Sequence, residues 1–196
     1  VEQATAILLL NRDPLHLART LGGTAVAQAI RRANARSKCV GAVGMGASVL
    51  CQHMLIFDGE HPRFAPGLGL INRLAIDVQC DGEPSAQSAL QRLLATIAYN
   101  PFLVGVRLAQ DTGIAIYPDT SLEVFGERQA LVIDGAGLTE TLSTTDLTPE
   151  ALQALGVRVY WLNAGSTFNF DQRTVHTPPP GDLPTSAVPA VSKSSF

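Results

Sequence analysis

Four short, predominantly apolar runs constrain this chain more than any other feature: Ala6–Leu10, Cys39–Val43, Leu74–Val78 and Val104–Leu108. Each is too short for a buried helix and lacks the apolar–polar alternation of a half-exposed strand. Such runs read as strands buried on both faces, the parallel-sheet type. Helical patterns lie between them. Thr24 can cap a helix over Ala25–Ala35, with Val26, Ile30 and Ala33 on one face. Residues 85–98 carry an amphipathic stripe of Leu90, Leu93, Leu94 and Ile97. After the small-residue turn Gly44-Met45-Gly46, residues 47–57 also read as a helix, and Gly67-Leu68-Gly69-Leu70 reads as a tight loop. This alternation predicts an α/β fold, a doubly wound, mostly parallel sheet with helices on both faces.

Beyond residue 108 the rhythm changes. Residues 113–117, 122–125, 130–133 and 157–162 predict short strands with turns between them, a short antiparallel margin to the sheet. Thr148-Pro149-Glu150-Ala151 has the form of a capped helix start. The expected organisation is one domain over residues 1–173 and a Pro/Ser-rich tail over 174–196. The chain opens at Val1 and enters its first apolar run within a few residues. Processing, a boundary or a fragment would each produce such an opening.

In doubly wound sheets the functional crevice lies at the carboxyl ends of the strands. Here that rim comprises residues 11–14, 44–48, 77–80 and 109–112. The net charge of −3 gives no electrostatic case for nucleic acid or an anionic membrane, and no apolar run approaches a membrane span. No signal-peptide pattern is visible at the N-terminus. Three cysteines, Cys39, Cys51 and Cys80, are an odd count without CxxC spacing; they read as small buried residues in a reducing cytoplasm. No cluster has metal-ligand spacing, and no cofactor is expected.

The turn at Gly44 has two chemical readings beside a purely structural one. A strand, a tight turn and a helix start can present a nucleophile beside N–H groups that stabilise an oxyanion. The same N–H groups can cradle a phosphate. The dinucleotide fingerprint fails, because its third glycine falls at Val49. Ser48 is expected to hydrogen-bond locally rather than attack. Cys80 is a rim thiol with no histidine near it in sequence. His53 is expected on the helix after the turn, His16 beside the first loop, and His61 and His176 in solvated loops. Asp13, Asp77 and Asp111 stand on the rim, either capping backbone N–H groups or holding a basic ligand.

Six blocks of the chain resemble the cyanophycinases, serine peptidases of the S51 type related to the aspartyl dipeptidases. Residues 4–14 resemble the family's A-T-G-I-F-F-T-G-G-D-Q, and Leu21-Gly22-Gly23-Thr24 resembles its L-G-G-T. Residues 40–48 stand where the family has G-T-S-A-G-A-S. Gly67-Leu68-Gly69-Leu70 and Ile76-Asp77 resemble G-L-G-L and I-D-Q-H-F. Residues 105–112 resemble G-I-G-I-D-E-D-T, and residues 159–173 resemble a closing strand and G-x-x-F-D-L-x-x-R. The resemblance covers most of residues 3–173. It implies a class I glutamine amidotransferase-like fold that lacks the family's N-terminal part, a hydrolytic ancestry, an aspartyl-peptide ligand, and a homo- or hetero-dimer with a cyanophycinase-like chain.

The departures define the expectation about activity. The matched blocks put Gly44 at the nucleophilic serine, Gln79 at the histidine and Gln110 at the glutamate. Glycine has no atom that attacks a carbonyl. Glutamine is no general base near neutral pH, and it supplies no negative charge to an imidazolium. The resemblance therefore implies no intact catalytic set, with Asp13, Met45, Ser48, Asp77, Cys80 and Asp111 left as a ligand rim. Three readings follow: a catalytically silent binding or assembly subunit, a divergent serine-type peptidase cleaving aspartyl–arginyl peptides through Ser48 or Cys80, and a structural fragment that needs a partner.

Overall fold

The computed structural model describes residues 1–58, 61–79, 86–138, 140–142 and 153–179. Strand β1 (Ala6–Leu10) is followed by α1 (Pro14–Leu21), α2 (Ala25–Ala35) and β2 (Cys39–Val43). A short 3-10 run over Gly44–Leu50 leads to β3 (His53–Asp58), β4 (His61–Pro66), β5 (Leu74–Val78), α3 (Ala86–Tyr99) and β6 (Val104–Leu108). Then come β7 (Thr112–Ile116), β8 (Ser121–Gly126), β9 (Ala130–Asp134), β10 (Glu140–Leu142), β11 (Gln153–Leu155), β12 (Arg158–Leu162), β13 (Thr167–Asn169) and β14 (Thr174–His176).

The local signals explain α1 and α2. Asp13 accepts the His16 N–H at 3.0 Å, and Pro14 takes the first helical position, where its missing N–H costs nothing. Thr24 accepts the Ala27 N–H at 3.2 Å and caps α2. Ala27, Ile30 and Ala33 form its buried stripe.

The central sheet has the order β12-β9-β6-β5. Only β5 and β6 run parallel; β9 and β12 are antiparallel to their neighbours. A second parallel pair joins β1 to β2. The fold is therefore mixed α/β, and the expected mostly parallel, doubly wound sheet is corrected to two parallel pairs within a largely antiparallel framework. The antiparallel strands are not a margin, because β9 packs directly beside β6 in the middle of the sheet.

One face of the central sheet packs on the antiparallel sheet β14-β13-β8-β7. Leu74, Ile76, Val104, Val106 and Val132 meet Leu122, Val124 and Phe168 there. The other face packs on α3 through Ala75, Leu93, Ile97 and Ile133. A Cβ at Gly105 would lie 2.9 Å from Leu93, so glycine permits α3 to close onto β6.

Three further expectations change. The segment read as a helix over residues 47–57 is the 3-10 run followed by the hairpin β3–β4, paired from His53↔Pro66 to Asp58↔His61. Cross-strand pairing, a non-local partner, overrides the local helical reading. The pair β1–β2 is not buried on both faces. Ile7, Leu9, Val40 and Ala42 pack toward Ile30, Val49 and Met54, but Leu8, Leu10 and Val43 are 61%, 68% and 55% exposed. Residues 174–176, read as the start of the tail, form β14 against β13. The residue 148–151 helix start and residues 180–196 lie outside the described residues.

One contact fastens that last strand. Arg173 donates to the fully buried Asp134 at 2.6 Å and to the Phe102 carbonyl at 3.1 Å. Removing one member of a buried charge pair strands the other in low dielectric. Arg173→Met is expected to lower unfolding stability by about 3–5 kcal/mol, read as a fall in the urea midpoint; an unchanged midpoint would contradict this role.

Candidate functional site

The site begins where β2 ends. Gly44 has φ +68°, in the left-handed region that favours glycine. Two residues on, the Gly46 N–H donates to the Asn11 carbonyl at 3.0 Å, and a Cβ on Gly46 would approach that oxygen to 2.7 Å. These glycines let the turn close against the end of β1. A sharp, strained strand-to-helix turn is the backbone geometry that presents a nucleophile in hydrolases. Here the residue in that conformation carries no side chain.

A cavity of about 240 Å3 opens beside the turn, and Arg12, Asp13, Met45, Ser48, Ile76 and Asp77 contribute to its wall. Four of the six expected rim residues thus converge: Asp13, Met45, Ser48 and Asp77. Met45 is partly exposed, whereas Ser48 is buried and donates to the Met45 carbonyl at 3.2 Å. Asp13 serves as the α1 cap. Asp111 is exposed, has φ +56°, accepts the Glu127 N–H through its carbonyl at 2.9 Å, and does not line this cavity. Cys80 lies outside the described residues.

The three positions implied by the resemblance stand at the ends of β2, β5 and β6. Gln79 and Gln110 have exposed side chains. The Gln79 N–H donates to the Leu108 carbonyl at 2.8 Å, which continues the β5–β6 ladder by one bond. None of the three contributes to the described wall of the cavity.

The histidines are dispersed. His16 is exposed on α1, and His53 lies on β3 with its ring edge-on to Phe64 at 6.0 Å. His61 begins β4 and His176 ends β14, so neither stands in a loop. Among the described residues, no group of three His, Cys, Asp or Glu is placed to hold a metal.

Arg107 is the residue that sequence reading missed. It sits in register with Asp77 on the neighbouring strand, on the α3 face, and the two buried side chains form an ion pair. The signal was present: a cation in an otherwise apolar strand, where the resembled block G-I-G-I has its second glycine. A charge in such a run needs a counter-charge, and the parallel register supplies Asp77. The cavity therefore presents two carboxylates already engaged by the protein, one hydroxyl, the Arg12 guanidinium and apolar walls. Its described wall contains no imidazole or thiol. This arrangement can hold a polar ligand more readily than it can activate a nucleophile.

No family model matches the sequence. The chain is similar to curated cyanophycinases. It is 27% identical to the cyanophycinase of Geminocystis herdmanii over 189 residues, which cover 92% of this chain and 67% of that protein. It is 28% identical to the cyanophycinase of Trichormus variabilis over 183 residues, which cover 89% of this chain and 60% of that protein. Among solved structures it resembles a peptidase from an acI-B1 actinobacterium. That likeness has a TM-score of 0.53 and 20% identity, and covers 86% of this chain and 60% of the other. The chain thus has the fold of a peptidase and sequence similarity to cyanophycinases over most of its length, and it spans about two thirds or less of these relatives.

The cysteines give a direct check on the site's surroundings. Burial pushes the Cys51 thiol up to about 12, partly offset by a backbone hydrogen bond at Ile76, whereas Cys39 is exposed. A thiol with so high a pKa is protonated and unreactive at neutral pH. Alkylation of the folded protein near pH 7, mapped by mass spectrometry, is expected to label Cys39 and spare Cys51; modification of Cys51 at a similar rate would contradict this packing.

Proposed function

We propose that this chain is a cyanophycinase-like protein of the serine peptidase type that binds an aspartyl peptide at the rim beside Gly44 and does not cleave it. The observation that carries this reading is the turn itself. It closes the end of β2 in the left-handed region, where the resemblance puts the nucleophile, and its residue is glycine. Gln79 and Gln110 stand at the strand ends where the resemblance puts the base and the acid. Ser48, the nearest hydroxyl, directs its O–H to the Met45 carbonyl in a hydrogen bond. Loss of a triad member costs roughly 10⁴–10⁶ in turnover, and joint losses leave little beyond oxyanion-type stabilisation.

The second half of the reading is assembly. Strands of parallel pairs are ordinarily covered on both faces. The outer face of β1–β2 instead presents Leu8, Leu10 and Val43. We take the occupant of that face to be a cyanophycinase-like chain, in a cytoplasmic hetero-dimer. No helix among the described residues is long and apolar enough to cross a membrane.

Restoring the nucleophile alone tests the catalytic half. Gly44→Ser is expected to yield no hydrolysis of a cyanophycin-like aspartyl–arginyl peptide above the parent protein, because base and acid are still missing. A clear gain from that single change, or turnover by the unaltered chain, would overturn the reading.

A further inference from the structure

A second and larger cavity, about 600 Å3, opens on the α3 face of the central sheet. It is distinct from the cavity beside Gly44: Asp77 lines the first and Arg107 the second, so their ion pair stands between the two. Sheet register builds its floor. Asp77, Arg107, Leu131 and Trp161 are successive cross-strand partners on β5, β6, β9 and β12, and therefore share one face. The row below them, Ala75, Gly105, Ile133 and Val159, is covered by α3. The upper row is only partly covered. Leu131 is buried, while Trp161 at the end of the row is 57% exposed.

The lining has a definite chemical character. Trp161 offers an aromatic surface, and Leu90 and Leu131 offer apolar contact. Gln129 donates to Asn163 at 3.1 Å, which fixes an amide at the rim. The Arg107 charge is compensated by Asp77. Arg128 lines the same cavity, is exposed, and forms no ion pair among the described residues. A cavity of this size, mostly apolar with a few polar groups, is of the kind that takes small molecules, and it lies at the carboxyl end of β6. A guanidinium pairs with carboxylate through two parallel hydrogen bonds, and an indole face takes a flat ring.

We propose that this cavity is a second binding site, for a carboxylate carried on a planar or apolar body. The carboxylate pairs with Arg128 and the body lies against Trp161 and Leu131. The inference does not rest on the fate of catalysis at Gly44.

Trp161 is the only tryptophan in the chain, so its fluorescence reports this site alone. The folded full-length protein is titrated with benzoate, with benzylammonium and benzyl alcohol as controls. Benzoate is expected to change the emission saturably. Benzylammonium, which Arg128 repels, and benzyl alcohol, which lacks the charge, are expected to bind at least tenfold more weakly. Arg128→Gln, a surface change, is expected to weaken benzoate about tenfold or more, the loss typical of one charge-assisted contact. Gly44→Ser leaves the titration unchanged. No saturable response to benzoate, an equal response to benzylammonium, or an Arg128→Gln protein that binds as well as the parent would each overturn the proposal.

Discussion

The parallel ladder between β5 and β6 is the contact on which the arrangement depends. It is buried on both faces, against α3 through Gly105 and against the β7–β8–β13 layer through Val104 and Val106. Its carboxyl end is where charge enters the core. The Asp77–Arg107 pair sits there, in register and buried, and each member opens onto a different cavity. Neither charge is tolerable alone in that environment. The two cavities thus share one structural element, and a change at either charge would be felt in both.

Gly44 occupies a different part of the same rim. The turn is held to β1 by the Gly46–Asn11 hydrogen bond, and the 3-10 run after it packs against β5. A turn so held keeps its shape without a catalytic side chain. Stability and chemistry are separable here, because the shape comes from backbone bonds and close glycine contacts while catalysis would need three side chains. This is why a peptidase fold and similarity to cyanophycinases can coexist with Gly44, Gln79 and Gln110.

Much of this was legible in residues whose signals are local. The apolar runs of β1, β2, β5 and β6, the Thr24 cap and the leucine stripe of α3 all depend on neighbours a few positions away. Asp13-Pro14 carries a cap and a first-turn proline as well, and capping is one of the two roles expected of Asp13 from the sequence. What was not legible depends on distant partners. The β3–β4 pair is fixed by cross-strand hydrogen bonds, so Met54 and Leu55 match a helical reading until their partners Ala65 and Phe64 are known. The insertion of β9 beside β6 is a matter of topology, not of composition. At the site, the rim positions Asp13, Met45, Ser48 and Asp77 could be named in advance from the strand ends. The Asp77–Arg107 pair could not, because it depends on which strands are neighbours.

The central claim is that the rim beside Gly44 binds an aspartyl peptide without cutting it. Calorimetric titration of the protein with a cyanophycin-like aspartyl–arginyl peptide, followed by mass spectrometry of the recovered ligand, measures both halves on one sample. The account predicts saturable binding and a ligand recovered intact after prolonged incubation. Recovery of shorter cleavage fragments, or the absence of any binding, would contradict it.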